Sequence, residues 1–108
     1  RVSWRPADGE VPLNRYFDLE ISLEESASKP LAGAEVKFNA LMPEHGHGMN
    51  VRPRIIDEGE GRYRVEGVLL HMAGRWVFNV DVQVEDTSLL RLRFDWREKR
   101  WQVDGLYD

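Results

Sequence analysis

Apolar and polar residues alternate along most of this chain with a period of two, which puts successive side chains on opposite faces of an extended strand. Phe17, Leu19, Ile21 and Leu23 alternate with Asp18, Glu20 and Ser22. Val36, Phe38, Ala40 and Met42 alternate with Glu35, Lys37 and Asn39, and Tyr63, Val65, Gly67 and Leu69 with Arg62, Arg64 and Glu66. Trp76, Phe78, Val80, Val82 and Val84 form the longest stripe, and Leu90, Leu92, Phe94 and Trp96 the last. Val51, Pro53 and Ile55 alternate less cleanly, and the proline predicts an edge position because it has no N–H for a ladder. No segment has a helical period.

Turn-forming residues separate these runs: Ser-Lys-Pro-Leu-Ala-Gly before Ala34, Asp-Glu-Gly-Glu-Gly at 57–61, Ala73-Gly74 before Trp76, and Glu-Asp-Thr-Ser at 85–88. Short alternating strands divided by such turns predict an all-β fold, an immunoglobulin-like antiparallel β-sandwich of about seven strands. The absence of cysteine removes the Cys–Trp–Cys framework of antibody domains. Residues 1–108 read as a single domain. Residues 1–13 form an N-terminal arm or edge strand. Residues 97–108 read as a C-terminal tail: a short strand, a packing segment or the start of a linker.

Composition narrows the function classes. With 15 basic and 19 acidic residues the net charge is −4, which argues against nucleic acid as a partner. The arginines at 52, 54, 62, 64, 91, 93, 97 and 100 are interleaved with acids and read as solvated strand faces. No apolar run approaches the ~20 residues of a membrane span. The chain opens on Arg1 with no apolar leader, so any signal peptide or anchor is expected outside it.

All three histidines and all three methionines fall in two short segments, Met42–Asn50 and His71-Met72. His45, His47 and Met49 are spaced i, i+2, i+4. In extended backbone they share a side, and Gly46 and Gly48 also permit a tight curl that converges them. If every connection reverses the chain, the 43–50 and 71–75 loops fall at the same end of the sandwich, opposite the 24–33 and 57–61 loops. Imidazole suits Cu(II) and thioether suits Cu(I), so a mixed His/Met set favours copper over zinc. Candidate ligands are therefore His45, His47, Met49, His71 and Met72. Glu44 is a candidate acceptor for an imidazole N–H, and Asn50 and Arg75 candidate braces.

Each of these residues also has an ordinary reading. Met42 continues the Val36 stripe and belongs to the core. Met72, at a strand end, reads as packing. His71 reads as bonded to a loop carbonyl, His45 and His47 as solvent-facing, and Trp76 as the start of a core stripe. No Ser/His/Asp set, phosphate-binding glycine loop before a helix, or cysteine nucleophile is present, so no enzyme chemistry is expected.

The order of these features resembles the YtkA-like/FixH-like family of small exported β-sandwich domains. The matching residues are Pro12-Leu13-Asn14 with Phe17, Pro30-Leu31-Ala32-Gly33-Ala34 leading to Val36, and Met42-Pro43 followed by His45-Gly46-His47-Gly48-Met49. Gly61-Arg62-Tyr63 and Met72-Ala73-Gly74-Arg75-Trp76 complete the match, which covers about residues 12–84. The resemblance implies a periplasmic or other extracytoplasmic location, an anchor or signal peptide outside this chain, and no catalytic activity. FixH-like members are linked to assembly of copper-containing terminal oxidases.

Two functions follow as expectations. One is a non-catalytic envelope module that binds copper through the His/Met loops, with affinity weakening in acid because a ligating imidazole must be neutral. The other is an immunoglobulin-like interaction module without metal. It would dock onto another envelope protein or domain through its basic strand face and the aromatic residues Trp96 and Trp101. A small-ligand carrier using the same loop end is the remainder.

Overall fold

A computed structural model describes residues 2–26, 29–30, 33–84, 87–95 and 100–106. Trp96, Arg97, Lys99 and Tyr107 lie outside the described residues. The strands are β1 (Val2–Pro6), β2 (Tyr16–Ser26), β3 (Lys29–Pro30), β4 (Glu35–Met42), β5 (His47–Gly48), β6 (Arg54–Gly59), β7 (Arg62–Leu69), β8 (Val77–Val84), β9 (Thr87–Asp95) and β10 (Arg100–Leu106). They form two antiparallel sheets. One has the order β1-β2-β7-β6 with β3 also on β2, and the other β10-β9-β8-β4-β5. The orders β1-β2-β7-β6 and β9-β8-β4 are the A-B-E-D and G-F-C sheets of an immunoglobulin sandwich. The segment before Pro12 supplies the edge strand β1, and the C-terminal segment supplies β10. Among the described residues, no helix is long and apolar enough to cross a membrane.

The period-two stripes fill the space between the sheets. Phe17, Leu19, Ile21 and Leu23 of β2 meet Val36, Ala40 and Met42 of β4 and Phe78, Val80 and Val82 of β8 in one buried cluster. Met42, Val65, Val68, Leu70, Trp76 and Phe78 have 0% of their surface exposed. Each such large side chain contributes roughly 1.5–3 kcal/mol of burial, so these stripes, rather than any surface ion pair, hold the sheets together. Phe38, half-buried, reaches the same core by an edge-on contact with Phe78, with ring centroids 5.7 Å apart. Pro53 sits just before β6, which is an edge strand of its sheet.

One stripe departs from its expected phase. Alternation from Tyr63 predicts Gly67 and Leu69 on the core side, yet the buried residues are Tyr63, Val65, Val68 and Leu70. The cause is a β-bulge. Phe17 pairs with Val68 and Leu19 with Val65, so two steps along β2 match three along β7. Gly67 takes the extra position with φ of 81°, where a side chain on an L-residue is strained. Its N–H donates to Asp18 Oδ1 at 3.1 Å, and Arg64 Nη1 donates to Asp18 Oδ2 at 3.0 Å. A one-residue slip turns every following side chain over. Leu70 therefore enters the core, and the residue after it, His71, leaves β7 on the opposite phase and is only half-buried.

Candidate metal centre

The register places the 7–15, 43–53 and 70–76 connections at one end of the sandwich. Tyr16 at the start of β2 pairs with Leu69 at the end of β7, and Leu41 near the end of β4 pairs with Val77 at the start of β8. The 43–50 and 71–75 segments thus share an end, as strand parity requires. The 7–15 connection joins them through an Asn14 N–H donated to the Leu70 carbonyl at 2.7 Å. Its weak alternation carried no signal for this role; only the turn-prone Pro12 and Asn14 marked it.

The first His/Met segment is a tight hairpin on the end of β4. The Met42 carbonyl accepts from the N–H groups of His45 and Gly46, at 3.1 and 3.0 Å. Gly46 has φ of 69°, which turns the chain back. His47 then pairs with Met42 and Gly48 with Leu41 as β5. A Cβ on Gly48 would lie 3.0 Å from the Ala40 carbonyl oxygen, so the close approach of β5 to β4 depends on glycine. The glycine-permitted curl is therefore what forms: His45 sits in the turn, while His47 starts the returning strand.

The second segment is anchored by Trp76. This indole is fully buried, and its Nε1–H donates to the Met72 carbonyl at 2.9 Å. The His71 ring stands edge-on to it, with centroids 5.5 Å apart and planes at 77°. Trp76 thus opens the core stripe and also fixes the loop that carries His71.

The three imidazoles form a row. His45 and His47 have centroids 5.8 Å apart, and His47 and His71 are 5.5 Å apart with a tilt of 31°. Two imidazoles bonded to one ion at about 2.0–2.1 Å have centroids roughly 5–6 Å apart, so either spacing suits a shared ion. Their nitrogens are not equivalent. His47 Nδ1 lies 2.9 Å from the Gly48 carbonyl, which can only accept, so Nδ1 carries the proton and the neutral ring keeps its lone pair on Nε2. His71 Nδ1 is buried without a hydrogen-bond partner among the described residues. A buried polar nitrogen in that state costs free energy unless something satisfies it, which distinguishes His71 from the exposed His45.

Other candidates are placed differently. Among the described residues, no group of three His, Asp or Glu side chains could hold a metal ion, so the row does not close into a three-imidazole site. Met49 and Met72 are half-buried and pack against the core cluster, as the packing reading of Met72 expects, while Met42 is wholly within it. Glu44 is exposed, and the acceptor that orients an imidazole is the Gly48 carbonyl instead. The arginines of the first sheet are ion-paired on its outer face: Arg5 with Glu20, Arg54 with Glu66, Arg62 with Glu60, and Arg64 with both Asp18 and Glu58. The exposed large apolar side chains among the described residues are Leu13, Tyr16 and Leu41, all at or beside the His/Met end.

A family model described as YtkA-like matches residues 12–81, a span that contains both His/Met segments and ends within β8. No curated protein and no solved structure matches the chain.

Proposed function

Since the chain belongs to the YtkA-like family, we propose that it is a non-catalytic cell-envelope module that binds copper at the His/Met end of its sandwich. One observation carries this reading: the buried, unpartnered Nδ1 of His71 on a ring 5.5 Å from that of His47, whose own Nδ1 is engaged by Gly48. His47 would offer Nε2 and His71 would offer Nδ1. Met49 and Met72 are the nearby soft donors in sequence, and His45 lies one ring further along the row. Two imidazoles without a third hard ligand, beside thioethers, suit Cu(I) better than zinc, which takes four ligands. When bound, copper would supply a soft Lewis-acidic ion; this chain's residues would orient two nitrogens toward it and shield one side with Trp76.

The test is a competitive Cu(I) titration, with Cu(II) in parallel, of the wild-type chain and its His47→Ala, His71→Ala and His45→Ala variants. His47→Ala and His71→Ala should each weaken binding about 10- to 100-fold or more, on the scale of disturbing a metal's ligand environment. His45→Ala should cost less. Equal binding by wild type and the His47→Ala/His71→Ala double variant, or no binding by the wild type, ends the copper reading.

A second reading is an interaction module without metal. It is favoured by the exposure of large apolar side chains at or beside the same end, Leu13, Tyr16 and Leu41, with Tyr16 67% exposed. Loss of a copurifying envelope partner in a Tyr16→Ser/Leu41→Ser variant, with copper affinity absent throughout, would decide for it.

A further inference from the structure

We infer that Met42 is a positioning residue: it is the strut that sets the spacing between the His47 hairpin and the His71 loop. The inference rests on the copper site proposed above. Met42 touches both segments with different atoms. Its backbone builds the hairpin, because its carbonyl receives the His45 and Gly46 N–H groups and it pairs directly with His47. Its side chain runs the other way, into the core, where it has no exposed surface. The end of that side chain lies over Gly74, three residues after His71. A Cβ built on Gly74 would lie 2.6 Å from Met42 Cε.

The contact is specific to this pair. Gly74 has φ of 143°, a conformation L-residues rarely adopt, and its bare Cα is the seat into which the Met42 methyl fits. Met42 is fully buried, so a side chain at position 74 would require its ε-methyl to find another place within the packed core. The His71 loop is held at a second point by the Trp76 indole N–H on the Met72 carbonyl. The loop is thus held at two points, by Trp76 at the Met72 carbonyl and by Met42 at Gly74, and Met42 is continuous in backbone with the hairpin that carries His47. Moving either half of the Met42–Gly74 contact therefore moves one imidazole relative to the other. Met42 itself is not a ligand; its sulfur belongs to the core cluster.

The experiment compares the full chain with Met42→Leu, Gly74→Ala and the double variant. Two readouts are used: nuclear Overhauser contacts between the His47 and His71 ring protons in the metal-free protein, and Cu(I) affinity by competition. Met42→Leu is a near volume-conserving swap that keeps the core but removes the reach to Gly74. Each single variant should lose or weaken the ring–ring contact and bind Cu(I) about 10- to 100-fold more weakly, the range for residues that support metal ligands. In the double variant the methyl added at position 74 takes the space vacated by the shorter side chain at position 42. Its loss should therefore be smaller than the product of the two single losses.

Folded single variants that retain both the ring contact and the affinity overturn the inference. So do two effects that simply multiply, because the damage at Gly74 would then be backbone strain unrelated to Met42. If Gly74→Ala fails to fold, Met42→Leu decides alone. If the wild type binds no Cu(I), the copper reading fails, and the ring-contact measurement still judges the strut.

Discussion

Tyr63 shows how one side chain can tie the two sheets together. It lies inside the core, 3% exposed, and its hydroxyl donates across to the Ala34 carbonyl, at 3.1 Å, just before β4. Burial, and then the negative charge of Asp57, push its hydroxyl above the ordinary tyrosine range. A folded-state value raised above the unfolded one means that the unfolded chain loses its proton first. The stabilisation is complete below about pH 10, the unfolded tyrosine value, and drains away as pH rises through the higher folded value. Tyr63→Phe should cost about 0.5–1.5 kcal/mol at neutral pH, the net worth of a hydrogen bond, measured by urea unfolding. The same variant should show a shallower loss of stability between neutral and strongly alkaline solution. A wild type and variant that lose stability in parallel above pH 10 would contradict this account of Tyr63. At this scale the sequence was also informative about Met42: its place in the Val36 stripe marked it as core. It could not announce Gly74, because the partner of a bare Cα is visible only when the chain is folded.

Among the elements, β7 is the one whose reading failed halfway along. The stripes of β2, β4 and β8 were legible because regular pleating makes period two a direct image of burial. In β7 the same rule holds as far as Val65 and then changes sign at Gly67, where the left-handed conformation inserts one residue against β2. A glycine within an alternating run is the written trace of such a bulge, but it does not say on which side the phase resumes. Gly67→Ala should therefore act through backbone strain alone, since a Cβ there meets nothing within 4 Å. A cost of about 1–2 kcal/mol is expected from placing an L-residue in that region. Gly67→Asn should cost less, since Asn tolerates this conformation better than Ala does. Thermal or urea unfolding of both variants checks the order, and an Ala variant as stable as wild type would remove the strain argument. The two-residue β5 and the 7–15 connection were illegible for a different reason. Neither has enough alternation to declare itself, and the 7–15 connection depends on Leu70, a partner distant in sequence.

For the whole molecule, strand parity was enough to bring the two His/Met segments to one end, since that deduction needs only the number of reversals. What parity could not supply was the order of the rings, the engagement of His47 Nδ1 by Gly48 or the stranded Nδ1 of His71. These follow from φ at Gly46 and from the reset at Gly67, each a local departure from regular structure. The two imidazoles proposed as ligands, His47 and His71, also come from different layers. His47 belongs to β5, at the edge of one sheet, while His71 follows β7 in the other. An ion held by both would be a removable cross-link between the layers, so its occupancy would set the mechanical and thermal resistance of the sandwich. At a free Cu(I) concentration a hundred times the dissociation constant, the folded state should gain about 2.7 kcal/mol, seen in calorimetry as a rise in melting temperature with added copper. That rise should vanish in His71→Ala. The copper level around the protein would then govern both how much ion it carries and how long the folded chain survives.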